Sequence, residues 1–454
     1  MAELTCFKSY DVRGQLGVNL DAPIAYRIGR AFAQVMQPGV TVTGRDVRES
    51  STELQTALIE GLLDGGSDVI DIGLCGTEEV YFATAHFEAG GGLEVTASHN
   101  PIDYNGIKMV RDGSKPISGD NGLLEIKALA ESQAWADVPR GQLRRENPRD
   151  AYADRILSFI DLAKLRPLKI LVNAGHGVAG PGFDAIEAKL KAAGAPLEFI
   201  KVYHDPDGSF PMGIPNPLLP ENQPQTAEKI REFGADFGVA WDGDFDRCFL
   251  FDETGAFIDG EYIVGLLAAA FLPKEPGARI VHDPRVMWNT LDVVAQGGGE
   301  AVVSRTGHAL IKAKMREVDG IYGGEMSAHH YFRNFMYCDS GMVPWLLVAE
   351  HMGVTGQSLS SLVAEMRANF PSSGEINFKL KDAQAAMDRV EAALAPEAIG
   401  GVDRLDGISM AFEEWRVNLR KSNTEPVLRL NVETRGDRAL LDEKVAMLKE
   451  MITA

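Results

Sequence analysis

Apolar and polar positions along this chain fall into a unit that recurs three times. An apolar stretch ends in a turn containing Gly or Asp, a helix-patterned stretch follows, and a Gly-rich break leads into a second apolar stretch. The copies are GVTVTGRDVRESSTELQTALIEGLLDGGSDVIDIG over residues 39–73, LKILVNAGHGVAGPGFDAIEAKLKAAGAPLEFIKV over 168–202, and ARIVHDPRVMWNTLDVVAQGGGEAVVSRTG over 278–307. Strand, helix and strand at this spacing predict a βαβ unit with a right-handed crossover. Three copies predict three similar α/β domains.

Residues 372–454 break the pattern. A helical stretch, AQAAMDRVEAALAP, leads into GGVDRLDGISMAFEE, then WRVNLRKSNTEPVLRLNVET, then a closing helix, RALLDEKVAMLKEMI. That order predicts a smaller α+β domain. Breaks near Pro148, Glu253–Gly255 and Pro371–Gly374 divide the chain into domains over 1–148, 149–254, 255–371 and 372–454. A chain of 454 residues exceeds the ~250–300 that one core can serve, so several domains are required.

Composition is that of a globular protein, 45% hydrophobic and 24% charged. The formal net charge of −20 argues against a general nucleic-acid or anionic-membrane binder. If the ligand is itself an anion, local Arg and Lys clusters must hold it against the overall field. The amino terminus shows no signal-peptide pattern, and the longest apolar run, Tyr262 to Pro273, is short of the ~20 residues of a membrane span. Cys6, Cys75, Cys248 and Cys338 lie in apolar surroundings without C-x-x-C spacing, as small buried hydrophobes in a reducing compartment do. Together these features lead us to expect a cytoplasmic protein with no membrane, nucleic-acid or obligate protein partner.

Four loops carry candidate chemistry. The segment GGGLEVTASHNPIDYNGIKMV, residues 90–110, feeds an apolar strand into Thr96-Ala97-Ser98-His99-Asn100-Pro101, whose small residues leave Ser98 open. Such a loop is either an ordinary polar turn or a nucleophile loop, and a serine nucleophile needs activation from elsewhere. FGVAWDGDFDRCFLFDETG, residues 237–255, places Asp242, Asp244 and Asp246 at alternate positions. Three carboxylates this close repel unless a cation sits among them, and all-oxygen donors favour Mg²⁺ or Ca²⁺. The alternative is a solvated acidic turn neutralised by Arg247, which could otherwise reach a phosphate. An EF-hand is excluded because its sixth position, a glycine in that motif, is Arg247 here.

The turn Arg420-Lys421-Ser422-Asn423-Thr424 sets two cations and three small donors between alternating strands, either a phosphate grip or a basic surface hairpin. In VDGIYGGEMSAHHYFRNF, residues 318–335, Glu325, Ser327 and His329 alternate and would share one face of an extended segment. Glu and Ser suit paired sugar hydroxyls, and a glycine-rich turn with buried histidines is the plainer reading. Arg13, in Tyr10-Asp11-Val12-Arg13-Gly14, and His308, in SRTGHALIK, are further lone candidates.

Taken in order, T-A-S-H-N-P, D-G-D-F-D-R, G-E-M-S-A-H-H and R-K-S-N-T-E-P strongly resemble the α-D-phosphohexomutase superfamily, and within it the bacterial branch acting on mannose phosphates. The resemblance spans essentially the whole chain. It implies three α/β domains plus a C-terminal TATA-box-binding-protein-like α+β domain around a central cleft. It implies an isomerase that moves a phosphoryl group between mannose 6-phosphate and mannose 1-phosphate through phosphorylated Ser98 and a bound hexose 1,6-bisphosphate. Mg²⁺ would bind Asp242, Asp244 and Asp246 with a phosphoserine oxygen of residue 98. Glu325 and Ser327 would contact the sugar 3- and 4-hydroxyls with His329 nearby, and Arg420, Ser422, Asn423 and Thr424 would bind the non-reacting phosphate. Tyr10, Arg13, His99, Lys108, Arg247, Arg285 and His308 fall at matching cleft positions, with Lys108 and His308 as candidate proton carriers. Two departures stand out: Arg285 where some relatives carry Lys, and Thr77-Glu78 where Thr-Pro is common. A glucose-specific or dual-specificity mutase, or a metal-dependent sugar phosphatase, remain the alternatives.

Overall fold

The computed structural model describes residues 3–422 and 427–454. All three repeats form the expected strand–helix–strand units with parallel strands. Val40–Arg45 pairs in parallel with Asp68–Leu74 across the helix Ser51–Asp64. Leu168–Asn173 does so with Leu197–Val202 across Ala179–Ala192, and Arg279–His282 with Glu300–Val303 across Trp288–Gln296. Parallel neighbours need a long return connection, and each helix supplies it.

The chain forms two compact units, residues 1–257 with 329–356, and residues 258–328 with 357–454. In the first unit, one sheet runs in the order Val12–Gln15, Tyr104–Arg111, Gly91–Val95, Val40–Arg45, Asp68–Leu74, Leu143–Arg145. Its buried core includes Phe32, Leu58, Leu62, Val95 and Ile107. A second sheet contains Cys248–Asp252, Phe237–Trp241, Leu168–Asn173 and Leu197–Val202 in that order. Each sheet includes an antiparallel pair of sequence-adjacent strands: Gly91–Val95 with Tyr104–Arg111, and Phe237–Trp241 with Cys248–Asp252. The serine loop and the aspartate triplet are the connections of these two pairs, at the carboxyl ends of Gly91–Val95 and Phe237–Trp241. Ligand sites of α/β sheets lie at such strand ends.

Residues 329–356 complete the first unit with the pair His330–Phe332 and Cys338–Asp339 and the helix Val343–Thr355. Trp345 of that helix packs with its ring centroid 5.7 Å from Phe183 and 5.9 Å from Phe199, and Trp241 Nε1 donates to Gly341 O at 2.8 Å. Glu78 is buried at the start of the helix Thr77–His86 and accepts four bonds. Tyr152 Oη, Ser340 Oγ (2.8 Å), Gly341 N and Met342 N (3.3 Å) all donate to it.

The second unit has the parallel strands Glu300–Val303, Arg279–His282 and Tyr322–Gly324. It also has an antiparallel sheet ordered Ile376–Phe378, Leu428–Thr434, Trp415–Lys421, Ile408–Ala411, Ile399–Asp403. Helices Ala383–Leu394 and Arg438–Thr453 close over it, burying Val390, Leu419, Leu430, Val432 and Leu448. This is the α+β arrangement expected of residues 372–454. No helix among the described residues is long and apolar enough to cross a membrane.

Candidate active site

Ser98 sits in the first unit at φ +50°, in the left-handed region, with its N–H donating to Thr96 Oγ1 at 2.9 Å. Its hydroxyl donates to Asp242 Oδ2 at 2.6 Å and lies 2.9 Å from His99 Nδ1. The loop is not the open turn its small residues suggested, because Ser98 is only 4% exposed. Arg48, itself buried, gathers the loop's carbonyls and donates to Ser98 O (3.2 Å), Asn100 O, Pro101 O (2.8 Å) and Tyr104 O (3.1 Å). Asp46 accepts from Ala97 N at 3.3 Å. Gly243 lets the second loop approach the first, since a Cβ there would stand 2.4 Å from Ser98 O.

The triplet divides its oxygens consistently. Every Oδ2 is taken by the protein. Arg247 donates to Asp242 Oδ2 from Nε (3.0 Å) and Nη2 (2.7 Å). Lys108 donates to Asp244 Oδ2 (2.7 Å) and to Asp246 Oδ2, and Thr77 and Thr96 hydroxyls reach Asp244 Oδ2 at 2.8 and 3.1 Å. The three Oδ1 atoms are buried without a hydrogen-bond partner. One carboxylate oxygen from each of the three residues lies within 4.8 Å of the others. Buried acceptors left bare cost about 1–3 kcal/mol each, so this donor set fits a hard cation. Asp246 belongs to a second such group with His329 and Asp339. His329 Nδ1 lies 3.0 Å from Asp339 Oδ2 and 3.8 Å from Asp246 Oδ1.

Charge in this cluster is finely set. Burial opposes ionisation of Asp242, but the Arg247 guanidinium outweighs it and holds the carboxyl well below the usual range. Burial, together with the neighbouring Asp244, pushes Asp246 up to about 6. Burial and Asp244 also raise Glu94 well above the carboxylate range. Thr77 has a single O–H and lies in hydrogen-bond contact with both Glu94 and Asp244. A protonated Glu94 resolves this: it donates to Thr77, and Thr77 donates to Asp244. Lys108 pays a burial penalty, yet Asp244 and Asp246 more than reverse it and keep the ammonium charged. A group held charged in this way stabilises negative charge beside it. Three carboxylates against Lys108 and Arg247 leave one negative charge, to be offset by a cation.

Of the remaining candidates in the first unit, Arg13 binds Asp11 at 2.9 Å and donates to Thr96 O at 3.1 Å, and Tyr10 precedes it at partial exposure. Others lie in the second unit. Arg285 is clamped by Asp283 (Nη2–Oδ2 2.8 Å, Nε–Oδ1 3.1 Å) and donates to Ser327 Oγ at 3.2 Å. Glu325 Oε1 lies 3.6 Å from Arg285 and accepts from Gly307 N at 3.0 Å, at the start of the helix His308–Val318. Glu325, Ser327 and Arg285 are thus together, whereas His329 belongs to the first unit beside Asp246. Arg420 pairs with Asp406 at 3.2 Å, and Ser422 N donates to Val427 O at 3.0 Å. Asn423 and Thr424 lie outside the described residues. Sequence reasoning passed over Arg48, Thr77 and Glu94. Arg48 left one signal, an arginine between Val47 and Glu49 in the short turn that joins the strand Val40–Arg45 to the helix Ser51–Asp64.

The sequence matches the four phosphoglucomutase/phosphomannomutase domain families. These are alpha/beta/alpha domains I, II and III over residues 5–136, 150–255 and 259–370, and the C-terminal domain over 375–451. It is 58% identical over 457 aligned residues to a protein named phosphomannomutase from Salmonella montevideo, covering all of both chains. The chain belongs to the phosphoglucomutase/phosphomannomutase family. A Xanthomonas campestris pv. campestris relative, named for phosphohexose mutases, is 53% identical over 99% of each chain. Among solved structures, a phosphoglucomutase/phosphomannomutase family protein from Burkholderia thailandensis superposes with a TM-score of 0.88 at 32% identity, covering 100% of this chain and 98% of that one. The family generally needs a metal, and the buried triplet is where this chain has the ligands for one.

Proposed function

We propose that the chain is a phosphomannomutase that carries the transferred phosphoryl group on Ser98. Two things support the reading: bacterial relatives named phosphomannomutase at 55–58% identity, and a Ser98 hydroxyl 2.6 Å from a carboxylate of the triplet. The second carries the mechanism. Asp242, Asp244 and Asp246 would hold Mg²⁺, which would supply charge stabilisation at the reacting phosphoryl group.

Phosphorylated Ser98 transfers its phosphoryl group to the free hydroxyl of mannose 1- or 6-phosphate. The Oγ–P bond breaks, the sugar O–P bond forms, and the hydroxyl proton passes to His308. Lys108 and Arg247 offset charge on the moving group. The resulting 1,6-bisphosphate reorients and returns its other phosphate to Ser98, with His308 giving the proton back. Glu325 and Ser327 hold the 3- and 4-hydroxyls, which look alike in both orientations. Arg285, Arg420, Ser422, Asn423 and Thr424 hold the phosphate that is not reacting, and orientation of this kind lowers the barrier. Tyr10, Arg13, His99 and His329 line the reacting end. A broader hexose range is a second reading, favoured by the Xanthomonas relative's name.

The test is a coupled assay of mannose 1-phosphate against glucose 1-phosphate with a catalytic amount of hexose 1,6-bisphosphate. Ser98→Ala is expected to bind sugar phosphate and to lose turnover, and intact mass is expected to show a phosphate on the wild type that the variant lacks. Normal mutase activity in Ser98→Ala would sink the proposal. Phosphate release without isomer formation would point to a phosphatase.

A further inference from the structure

The second unit gathers three arginines that reach one another through carboxylates. Arg420 and Arg429 are directly paired across the neighbouring strands Trp415–Lys421 and Leu428–Thr434. Glu375, just before the strand Ile376–Phe378, reaches Arg285 Nη1 at 3.3 Å with one oxygen and Arg429 Nη1 at 3.1 Å with the other. Burial and the charges of Arg285 and Arg429 work against protonation of Arg420, while Asp406 and Glu375 favour it. The carboxylates are therefore what lets the three guanidinium groups stay close together and charged.

We propose that Glu375 is an internal stand-in for the substrate's phosphate, bridging Arg285 and Arg429 until a sugar phosphate displaces it. The inference rests on the mutase reading for the identity of the ligand. Arg285 commits Nε and Nη2 to Asp283 and Ser327, so Nη1 is the corner it can offer a ligand, and Glu375 holds that corner. A phosphate placed there would meet a carboxylate at contact distance, and like charges that close repel. One of the two must leave. Asp283 cannot, because it also accepts from Arg285 N (2.9 Å) and Met326 N (2.9 Å) and is 3% exposed. Glu375 can, because it is 12% exposed and lies in irregular backbone after Gly374, which holds φ +61°. The exchange of one anion for another keeps the arginines organised in both states. It also lowers the net affinity for phosphate, which suits a bisphosphate that must let go and rebind the other way round.

The experiment measures binding by calorimetry on the Ser98→Ala chain, which removes turnover. Glu375→Gln is expected to tighten mannose 1-phosphate and inorganic phosphate about tenfold and to leave neutral mannose unchanged. Arg429→Leu is expected to weaken both phosphates several-fold. With Ser98 restored, Glu375→Gln is expected to lower KM and to lower kcat as release slows. A role confined to supporting the fold would instead lower the melting temperature without tightening phosphate. Equal or weaker phosphate binding in a folded Glu375→Gln chain overturns the proposal, and so does unchanged phosphate binding in Arg429→Leu should the first variant fail to fold. If the wild type fails to convert mannose 1-phosphate, the mutase reading falls, and the inorganic phosphate comparison still decides the role of Glu375.

Discussion

At the scale of single residues, each aspartate of the triplet has one oxygen bound by the protein and the other buried without a hydrogen-bond partner. The residues that hold the first oxygen are as much part of the site as the aspartates. Thr77 is the clearest, being buried and bonded to Asp244 Oδ2 at 2.8 Å while touching Lys108 at 3.0 Å. Removing a partner of this kind costs about 10–100-fold in metal affinity. Thr77→Val is accordingly expected to raise the Mg²⁺ concentration for half-maximal turnover by about tenfold or more, with the fold retained. A Mg²⁺ titration of activity checks it, and an unchanged midpoint would show that Thr77 does not orient Asp244. Ser98 and the triplet were legible in the sequence because each is a local cluster with unusual composition. Arg48, Thr77 and Glu94 were not, because what makes them important is a partner 50, 167 or 17 positions away.

At the scale of elements, the βαβ repeats were legible because helix and strand periodicities differ and the breaks are marked by glycine. Less legible was how segments remote in sequence are tied together. Glu78 gave no reading as a sequence departure, yet it fastens the helix Thr77–His86 to Tyr152 and to the start of the helix Val343–Thr355. All four donors point at its carboxylate. In Glu78→Leu all four donors lose this acceptor, and buried groups left unsatisfied cost about 1–3 kcal/mol. Chemical denaturation is expected to show a loss of that size, and equal stability would mean the four bonds contribute nothing net. Thr77 adjoins Glu78, so the same short segment supports both the helix packing and the Asp244 carboxylate.

At the scale of the whole molecule, the resemblance seen in four motifs extends over the entire length, and the family matches cover all four stretches. What no motif announced is that the first compact unit is discontinuous, needing residues 329–356 after the chain has left it at 257. That gap has a consequence in time. A ribosome adding about 5–20 residues per second takes several seconds to deliver the missing piece. Until then Trp241, Phe183 and the Glu78 carboxylate wait without Gly341, Trp345 and their neighbours. The nascent protein therefore passes through an interval in which a large, nearly finished body exposes an apolar seam. Residues 1–257 made alone are expected to bind a hydrophobic dye and aggregate, and to be rescued by a peptide of residues 329–356. A well-behaved fragment with no dye binding would show that the seam closes on its own.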